Sequence, residues 1–355
     1  MSMELQINLA PARKEKPAAD KLGFGTIFTD HMFVMDYSVE QGWHNAQIMP
    51  YGPLLFDPSV MVFHYGQAVF EGMKAFRTKD DRVVLFRPER YIRRMSYSIQ
   101  KLCIPAFDEA FVVNAIKTLV DIERDWVYGA EGTALYIRPF IIATDPYLGV
   151  RPSNTYKFMV ILSPVGAYYK EGFNPVKIYI TDEFTRAAKQ GLGDVKTPAN
   201  YAASLYAGEQ AKKMGFTQVL WLDPIEKKYI EEVGTMNVFF KIGGKVVTPA
   251  LSGSILSGVT RDSVLQVLNS WGIAVSERAI SVDEIFAAYD EGRLEEVFGT
   301  GTAAVISPVG LLRHGEREVT INGGVTGELS ARLFDAITGM QYGKCSDDFG
   351  WIAEV

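Results

Sequence analysis

The residues most able to carry chemistry surround one lysine, Lys196, in the segment Gly191-Leu192-Gly193-Asp194-Val195-Lys196-Thr197-Pro198. The two glycines favour a loop, and a helical pattern begins just after the lysine and continues to about Met214. A lysine at such a junction faces a cleft, and the helix fixes its direction. Near other cations or apolar walls an amine can lose its proton and attack a carbonyl. Because a lysine in a glycine-rich loop is more often simply solvated, the interpretation depends on the surrounding motifs.

Four other groups could bind one anionic, aromatic cofactor that carries a carbonyl. Gly258-Val259-Thr260-Arg261 begins a predicted helix, where free backbone N–H groups, the helix dipole and a threonine hydroxyl favour a phosphate. The predicted loop Gly299-Thr300-Gly301-Thr302-Ala303 offers the same features. Glu232 lies at the end of a predicted strand, where its carboxylate could face a ring nitrogen, and Tyr201 follows the lysine loop. Each of these features alone is more often a turn, a solvated acid or a core residue.

The composition limits the possible functions. The chain has 355 residues, 48% hydrophobic and 22% charged, which favours a large core and two domains. The net charge of −6, with both signs interspersed, argues against nucleic acid or an anionic membrane as a partner and favours a small molecule. Cys103 and Cys345 are far apart and the four histidines are scattered, so no metal site is expected. Without a membrane-spanning run or a signal-peptide core, we expect a cytoplasmic protein.

The strand and helix patterns predict an α+β or α/β protein of two domains. We expect a flexible lead-in at 1–23, a smaller N-terminal α/β domain at 24–164, a linker at 165–175 and a larger C-terminal domain at 176–355. Strands dominate those parts of the second domain that carry the candidate functional residues, so a mixed, barrel-like fold is expected there. The main predicted helices are 89–102, 199–214, 260–271 and 327–340; the main predicted strands are 134–143, 156–164, 176–181, 218–222 and 229–233, with a hairpin at 238–248.

Together the motifs resemble the signature of the class IV, or fold-type IV, pyridoxal-phosphate aminotransferases. The resemblance is carried by Glu232-Val233-Gly234-Thr235-Met236-Asn237-Val238-Phe239 and by Leu256-Ser257-Gly258-Val259-Thr260-Arg261. Further matches span nearly the whole chain, at 24–32, 64–75, 85–88, 135–139, 196–201 and 299–303. The early ones narrow the resemblance to the branched-chain amino-acid aminotransferases. The implied activity is amino-group transfer between leucine, isoleucine or valine and 2-oxoglutarate.

The resemblance implies pyridoxal 5'-phosphate as the cofactor and a role for each matching residue. Lys196 would form the Schiff base and carry a proton between the substrate α-carbon and the cofactor. Glu232 would keep the pyridine nitrogen protonated, and Tyr201 would hydrogen-bond the ring oxygen. The other implied cofactor-binding residues contact the phosphate or lie close to the ring: Arg94, Thr235, Val259, Thr260 and Thr302.

An apolar substrate pocket beside the cofactor is also implied by the resemblance. Its expected lining residues are Phe24, Phe70, Tyr136 and Tyr168, with the substrate carboxylate at the backbone of Thr302 and Ala303. In relatives the residues matching Tyr65, Leu148 and Val150 reach in from the neighbouring subunit, so a homodimer is implied. Animal members carry Cys-x-x-Cys where this chain has Ala304 and Ser307, so thiol-based redox control is not implied.

Arg138 is expected to bind the distal carboxylate of glutamate in this pocket. It interrupts an apolar strand, and alternation places it on the same face as Tyr136. A pocket that accepts both leucine and glutamate needs such a cation, because an unpaired carboxylate in an apolar site is costly. The alternative is that Arg138 belongs to a structural ion pair.

Two other functions fit parts of this pattern. A D-amino-acid aminotransferase would share the fold and cofactor and would differ in the hand of its substrate. A nucleotide-binding module without chemistry would use only the glycine-threonine segments, and it predicts a colourless protein.

Overall fold

The computed structural model describes residues 3–166 and 173–355. Tyr168 and most of the predicted linker at 165–175 therefore lie outside the described residues. The strands are β1 (Gln6–Ile7), β2 (His31–Ser38), β3 (Gly42–Pro50), β4 (Ala68–Phe70), β5 (Met73–Arg77), β6 (Val83–Phe86), β7 (Ala134–Ala143), β8 (Thr155–Val165), β9 (Val176–Thr181), β10 (Gln218–Leu222), β11 (Ile230–Val233), β12 (Asn237–Ile242), β13 (Lys245–Thr248), β14 (Val275–Glu277), β15 (Leu294–Gly301), β16 (Val305–His314), β17 (Arg317–Thr320) and β18 (Ile352–Glu354). The α-helices are α1 (Val62–Tyr65), α2 (Pro88–Lys101), α3 (Glu109–Ile122), α4 (Pro198–Lys213), α5 (Val259–Ser270), α6 (Val282–Asp290) and α7 (Glu328–Gln341).

The chain forms two compact units. Unit 1 comprises Met1–Tyr168, Val195–Pro198 and Met340–Val355, and unit 2 comprises Tyr169–Asp194 and Ala199–Gly339. The predicted domain boundaries stay a prediction. This grouping includes 1–23 in unit 1 and also differs from the predicted domains at 195–198 and 340–355. One reason for the difference is that β18 pairs with β6, which ties the end of the chain to unit 1. No helix in the described ranges is long and apolar enough to cross a membrane.

Unit 1 contains a nine-stranded sheet in the order β1-β3-β2-β8-β7-β5-β6-β18, with β4 paired to β7. The long antiparallel pair β7 and β8 confirms the two apolar strands predicted from the sequence. Burial alternates along β7, so one face belongs to the core while Tyr136 and Arg138 share the other. Helix α2 confirms the predicted helical spacing, since its buried side chains include Ile92, Met95 and Ile99.

Unit 2 contains a second nine-stranded sheet in the order β11-β10-β9-β16-β15-β12-β13-β14, with β17 paired to β16. The sheet is mixed: β9 runs parallel to β10 and β16, whereas β15 runs antiparallel to β12 and β16. The predicted hairpin is confirmed, because β12 and β13 pair across Gly243 and Gly244, whose φ angles are 55° and 75°. Many buried side chains of this sheet pack with those of α6 in one apolar core.

The prediction of a glycine-threonine loop at 299–303 is partly wrong. Gly299, Thr300 and Gly301 end strand β15, where Thr300 pairs with Asn237 and Gly301 with Val305. Only residues 302–304 form the turn that joins β15 to β16. Glycines favoured a loop in the sequence, but the cross-strand hydrogen bonds of an interior strand outweigh that local preference.

The segment predicted to be a flexible lead-in makes specific polar contacts within unit 1. The Ala10 N–H donates to His31 Nε2 at 2.7 Å, and the Arg13 guanidinium donates to the buried carboxylate of Glu123 at 2.8 Å. Glu123 also accepts the Asp30 N–H at 3.1 Å and contacts His31 Nδ1. Because Nε2 accepts from Ala10, Nδ1 carries the proton that faces Glu123. Flexibility of residues 1–23 remains a prediction, and these contacts argue against it.

We expect Glu123→Gln to destabilise unit 1 by about 3 kcal/mol, because an amide cannot replace a buried carboxylate that accepts from three donors. The melting temperature measured by calorimetry should fall by several degrees. Asp125→Asn is the matched control, since that exposed carboxylate lies 4.0 Å from Lys16 and should contribute less than about 0.5 kcal/mol. Equal melting temperatures for the two variants would contradict the account of this cluster.

Candidate active site

Hydrogen bonds within unit 1 fix the backbone on both sides of Lys196. The Lys196 carbonyl accepts the N–H of Phe70 at 3.1 Å, which ties it to β4. The Lys196 N–H donates to Ser98 Oγ on α2 at 3.1 Å, and the Thr197 hydroxyl donates to the Ala68 carbonyl at 2.8 Å. The lysine precedes α4 as predicted. The direction of its side chain is therefore set by a strand and a helix rather than by a free loop.

The ring of Phe70 brings the predicted lysine and pocket residues of unit 1 together. Lys196 Nζ and Arg138 Cζ each lie 4.9 Å from the centre of this ring. Arg138 Nη2 donates to Tyr136 Oη at 3.0 Å, and the Tyr136 ring meets that of Phe24 edge to face at 5.2 Å. An amine, an arginine and aromatic walls thus share one site.

Arg138 pairs with no carboxylate in the described ranges, so the alternative of a structural ion pair finds no support there. Its Nε is buried and donates to no described acceptor. A buried donor without an acceptor is costly, and a carboxylate from a ligand would satisfy it. This geometry fits the predicted contact with a distal carboxylate.

Two further residues beside Tyr136 were missed by the sequence analysis. Gly72 packs so closely that a Cβ at this position would lie 2.0 Å from Tyr136 Oη. Lys74 pairs with Tyr136 across β5 and β7, and burial lowers the pKa of this amine to about 8. The available signals were a glycine and a lysine placed among apolar strand residues.

A buried acid, Glu71, holds Arg94, which was predicted to bind the phosphate. Arg94 Nε donates to Glu71 Oε1 at 2.7 Å and Nη2 donates to Oε2 at 2.8 Å. The Gly72 N–H also donates to Oε2 at 3.1 Å. This bidentate pair fixes the direction of the guanidinium, so Glu71 positions the predicted phosphate ligand. Nothing in the local sequence pattern revealed the pair.

Residues expected to serve a neighbouring subunit lie together on the surface of unit 1. The Tyr65 hydroxyl donates to the Leu148 carbonyl, which joins the end of α1 to the loop after β7. Leu148 is 73% exposed and Val150 is 87% exposed. These apolar side chains contribute little to the core of this chain.

Unit 2 buries Glu232 among polar partners. Its Oε2 contacts Nη2 of Arg186, and its Oε1 accepts from Asn237 Nδ2 at 3.0 Å. Arg186 Nη2 also donates to the Ser254 carbonyl at 2.9 Å, and Asn237 Nδ2 donates to the Leu256 carbonyl at 2.9 Å. The positive charge of Arg186 stabilises an ionised Glu232, and the amide sets its orientation. Arg186 lies in an irregular segment and gave no signal in the sequence.

The predicted anion site at the start of α5 has the expected form. Gly258 is the N-cap and offers no side-chain cap, so the N–H groups of the first turn have no acceptor in the described structure. Val259 and Thr260 are buried at this turn. The positive end of the helix dipole and these donors favour an oxyanion.

The remaining predicted residues of unit 2 lie at turns and at a helix start. Thr235 is exposed at the tip of the tight turn between β11 and β12. Thr302 and Ala303 form the turn before Val305, whose φ of 63° is strained for a β-branched residue. Tyr201 is half-buried in the first turn of α4.

These residues fit pyridoxal phosphate by their chemistry. Within unit 1, the amine that lies over an aromatic ring could react with a carbonyl. Within unit 2, the paired carboxylate suits a protonatable ring nitrogen, and the helix start with unused N–H donors suits a phosphate. Among the residues that the structure describes, no cluster could hold a metal ion.

Comparisons with known proteins agree with this chemistry. A family profile described as amino-transferase class IV matches residues 68–312. The chain is 57% identical over 351 residues to branched-chain-amino-acid aminotransferase 2 of Bacillus subtilis (strain 168), covering 99% of this chain and 97% of that protein. The solved branched-chain amino acid aminotransferase of Escherichia coli has a TM-score of 0.77 at 25% identity and covers 91% of this chain and 98% of its own. A solved T.th. branched-chain amino acid aminotransferase with pyridoxamine 5'-phosphate has a TM-score of 0.77 at 26% identity, with coverage of 92% and 99%.

We expect Gly72→Ala to displace Tyr136 and to cost about 1–3 kcal/mol of stability, because the new methyl group would overlap the tyrosine hydroxyl. Thermal unfolding checks this, with Gly52→Ala as the control, since a Cβ there meets no atom within 4 Å. In a Tyr136→Ala background the cost of Gly72→Ala should largely disappear. If Gly72→Ala lowers the stability by the same amount in that background, the loss does not come from the overlap with Tyr136.

Proposed function

The chain belongs to the class IV aminotransferase family, and on that premise we propose that Lys196 and Glu232 bind one pyridoxal 5'-phosphate through which the amino group is exchanged with 2-oxoglutarate. Branched-chain amino-acid aminotransferase function and the two-domain, fold-type IV mixed α/β architecture follow from the family and its close relatives. The substrates are small amino and 2-oxo acids. The observation that best supports the site is the position of Lys196 Nζ, 4.9 Å from the centre of the Phe70 ring, which Arg138 also contacts at 4.9 Å.

This membership decides between the functions left open by the sequence. A nucleotide-binding module without chemistry does not agree with the family match. The D-amino-acid alternative shares the family, but the relative that is 57% identical carries the branched-chain name.

Pyridoxal phosphate, when bound, supplies an electron sink that stabilises negative charge on the substrate α-carbon. Lys196 is assigned as the amine that links to the cofactor and afterwards takes the α-proton. Its backbone hydrogen bonds to Phe70 and Ser98 limit the arc over which the amine moves. A fixed arc favours proton transfer between neighbouring atoms.

Glu232 is assigned to the ring nitrogen. A carboxylate kept ionised by Arg186 can accept the hydrogen bond of a protonated pyridine nitrogen and keep it protonated. Asn237 holds the other carboxylate oxygen, so little reorganisation is needed when charge develops.

The phosphate is assigned to the start of α5, with Val259 and Thr260, and to Arg94 and Thr302. The Glu71 pair orients Arg94 for this contact. Tyr201 is assigned to the ring oxygen, and Thr235 is placed close to the ring. The substrate carboxylate is assigned to the backbone of Thr302 and Ala303.

The side chain of the substrate is assigned to Phe24, Phe70 and Tyr136, with Tyr168 as a further predicted wall. Leucine would pack against these rings, whereas glutamate would place its distal carboxylate at Arg138. The donor at Arg138 Nε, which lacks a described acceptor, supports the second contact. The guanidinium also lies over the rings of Phe70 and Tyr136, at 4.9 and 5.2 Å from their centres.

We also assign a homodimer whose second chain adds Tyr65, Leu148 and Val150 to the site. The high exposure of Leu148 and Val150 supports this assignment, because large apolar side chains at the surface favour a covering partner. A cytoplasmic location is assigned from the composition, which has only two cysteines.

Lys196→Ala should fold, because it removes no core side chain, and should lose transamination by several orders of magnitude. Borohydride reduction of the wild type followed by peptide mass mapping should place the pyridoxyl group on Lys196. Lys74→Met is the control, because Lys74 is another amine of this region and has a pKa of about 8. In this variant the pyridoxyl group should still be found on Lys196. A pyridoxyl group found on Lys74, or on any other lysine, would refute the assignment of Lys196.

Arg138→Met should weaken the glutamate half-reaction by about 2 kcal/mol or more, roughly 30-fold, and should affect leucine much less. The distal carboxylate would lose its cation, whereas leucine needs only apolar walls. Single-turnover rates of the two half-reactions measure the difference, with the exposed Arg90→Met as the control. Equal losses for leucine and glutamate would mean that Arg138 only supports the site.

A further inference from the structure

A cleft of about 380 Å³ opens in unit 2 on the side of β11 that carries Glu231. Glu232, the next residue, does not line it. None of the residues that line this Glu231 cleft is assigned to the cofactor or the substrate. Its apolar walls come from Pro224, Ile225, Tyr229, Pro249, Ala250 and Ile255. The volume is at the lower end of the range for small-molecule sites, about 300–1,000 Å³.

Three carboxylates line the cleft, but only one is buried and available to a ligand. Asp223 accepts four backbone N–H groups at 2.7 to 3.2 Å, from the residues of the turn that follows it. Both of its oxygens are therefore used to hold that turn. Glu226 is exposed to solvent.

Glu231 is 6% exposed. Its Oε1 accepts the hydroxyl of Ser254, and its Oε2 accepts no hydrogen bond from the described residues. Burial raises the pKa of this carboxyl, because the charged form loses hydration there. An ammonium group placed at Oε2 would restore the lost interaction and stabilise the ionised form.

A cation also lines the cleft. Lys189 is exposed and forms no ion pair within the part of the chain that the structure describes. Burial raises the pKa of Glu231, and the positive charge of Lys189 opposes that rise. The cleft thus combines a buried acid, an exposed amine and apolar walls.

These groups together favour a zwitterion over a singly charged ligand. An amine alone would leave Lys189 without a partner, and an oxo acid alone would place its carboxylate near Glu231. An α-amino acid offers an ammonium to Glu231, a carboxylate to Lys189 and a side chain to the apolar walls. We propose that the Glu231 cleft is a second binding site for an α-amino acid with an apolar side chain, separate from the catalytic site and linked to Glu232 through Ser254.

The link is a short path of contacts within unit 2. The Ser254 hydroxyl contacts Glu231, and its carbonyl accepts Arg186 Nη2 at 2.9 Å. Arg186 in turn pairs with Glu232. The loop before Lys196 packs closely against Ser254, since a Cβ at Gly193 would lie 2.4 Å from the Ser254 carbonyl oxygen. A ligand that moves Ser254 would therefore affect both Glu232 and the loop that carries Gly193.

Calorimetric titration of the borohydride-reduced holoenzyme with L-leucine tests the site, because the reduced cofactor can no longer accept an amine. We expect saturable binding that weakens at least tenfold in Glu231→Gln and in Lys189→Met. Gln can keep the hydrogen bond from Ser254, and Lys189 is exposed, so both variants should fold. Glu318→Gln, with the same charge change at an exposed strand position, is the control and should bind within twofold of the wild type.

The ligand class is tested in the same way. 4-Methylvaleric acid, which lacks the ammonium, and 3-methylbutylamine, which lacks the carboxylate, should each bind at least tenfold more weakly than leucine. Leucine binding that is absent in the wild type or unchanged in Glu231→Gln would overturn the site. An amine that binds as tightly as leucine would overturn the zwitterion assignment. These outcomes do not depend on turnover, so they are separate from a failure of the proposed catalytic roles.

The link to Glu232 is tested by initial rates over a wide range of leucine concentration. The wild type should depart from a single hyperbola at concentrations that fill the cleft, whereas Glu231→Gln should follow one. Matching curves for the two proteins, despite lost binding in the variant, would overturn the link.

Discussion

The buried ion pair between Glu232 and Arg186 is the constraint on which the rest of the site in unit 2 depends. A carboxylate at this depth is tolerated only if a cation and hydrogen-bond donors replace its water. Arg186 supplies the charge, and Asn237 supplies an amide to the other oxygen. Arg186 is itself held by the Ser254 carbonyl, so the strand, the turn and the loop that carry these residues must keep their positions together. A protein that needs an ionised acid beside a ring nitrogen has reason to retain this costly arrangement.

In unit 1 the corresponding constraint is the fixed backbone of Lys196. Residues 195–198 belong to unit 1 by their contacts, whereas the residues before and after them belong to unit 2. The hydrogen bonds to Phe70 and Ser98 tie this short segment to β4 and α2. The Phe70 ring then places the lysine amine and the Arg138 guanidinium at equal distances from its centre. The aromatic face thus holds both cationic side chains close to the pocket without an acidic partner from this ring.

Residue periodicity predicted those parts of the site that depend on one element. Alternation along β7 placed Arg138 and Tyr136 on one face, and the glycine before α5 marked a helix start with unused donors. Periodicity shows which face of a helix or strand a residue lies on, but it does not show which residue contacts that face. Partners from distant parts of the chain were therefore not predictable. Glu71 and Arg186 are such partners. The predicted loop at 299–303 was partly wrong for a related reason, since pairing with β12 and β16 decides where β15 ends.

In the proposed site an ionised carboxylate at Glu232 makes the cofactor an electron sink, and the rate of proton exchange in Glu232→Gln measures that role. The rate at which leucine exchanges its α-proton with deuterated solvent should be compared in wild type and variant at equal cofactor occupancy. We expect a fall of about a hundredfold or more in the variant, because a neutral amide cannot keep the ring nitrogen protonated. Exchange within about tenfold of the wild-type rate at full occupancy would contradict it.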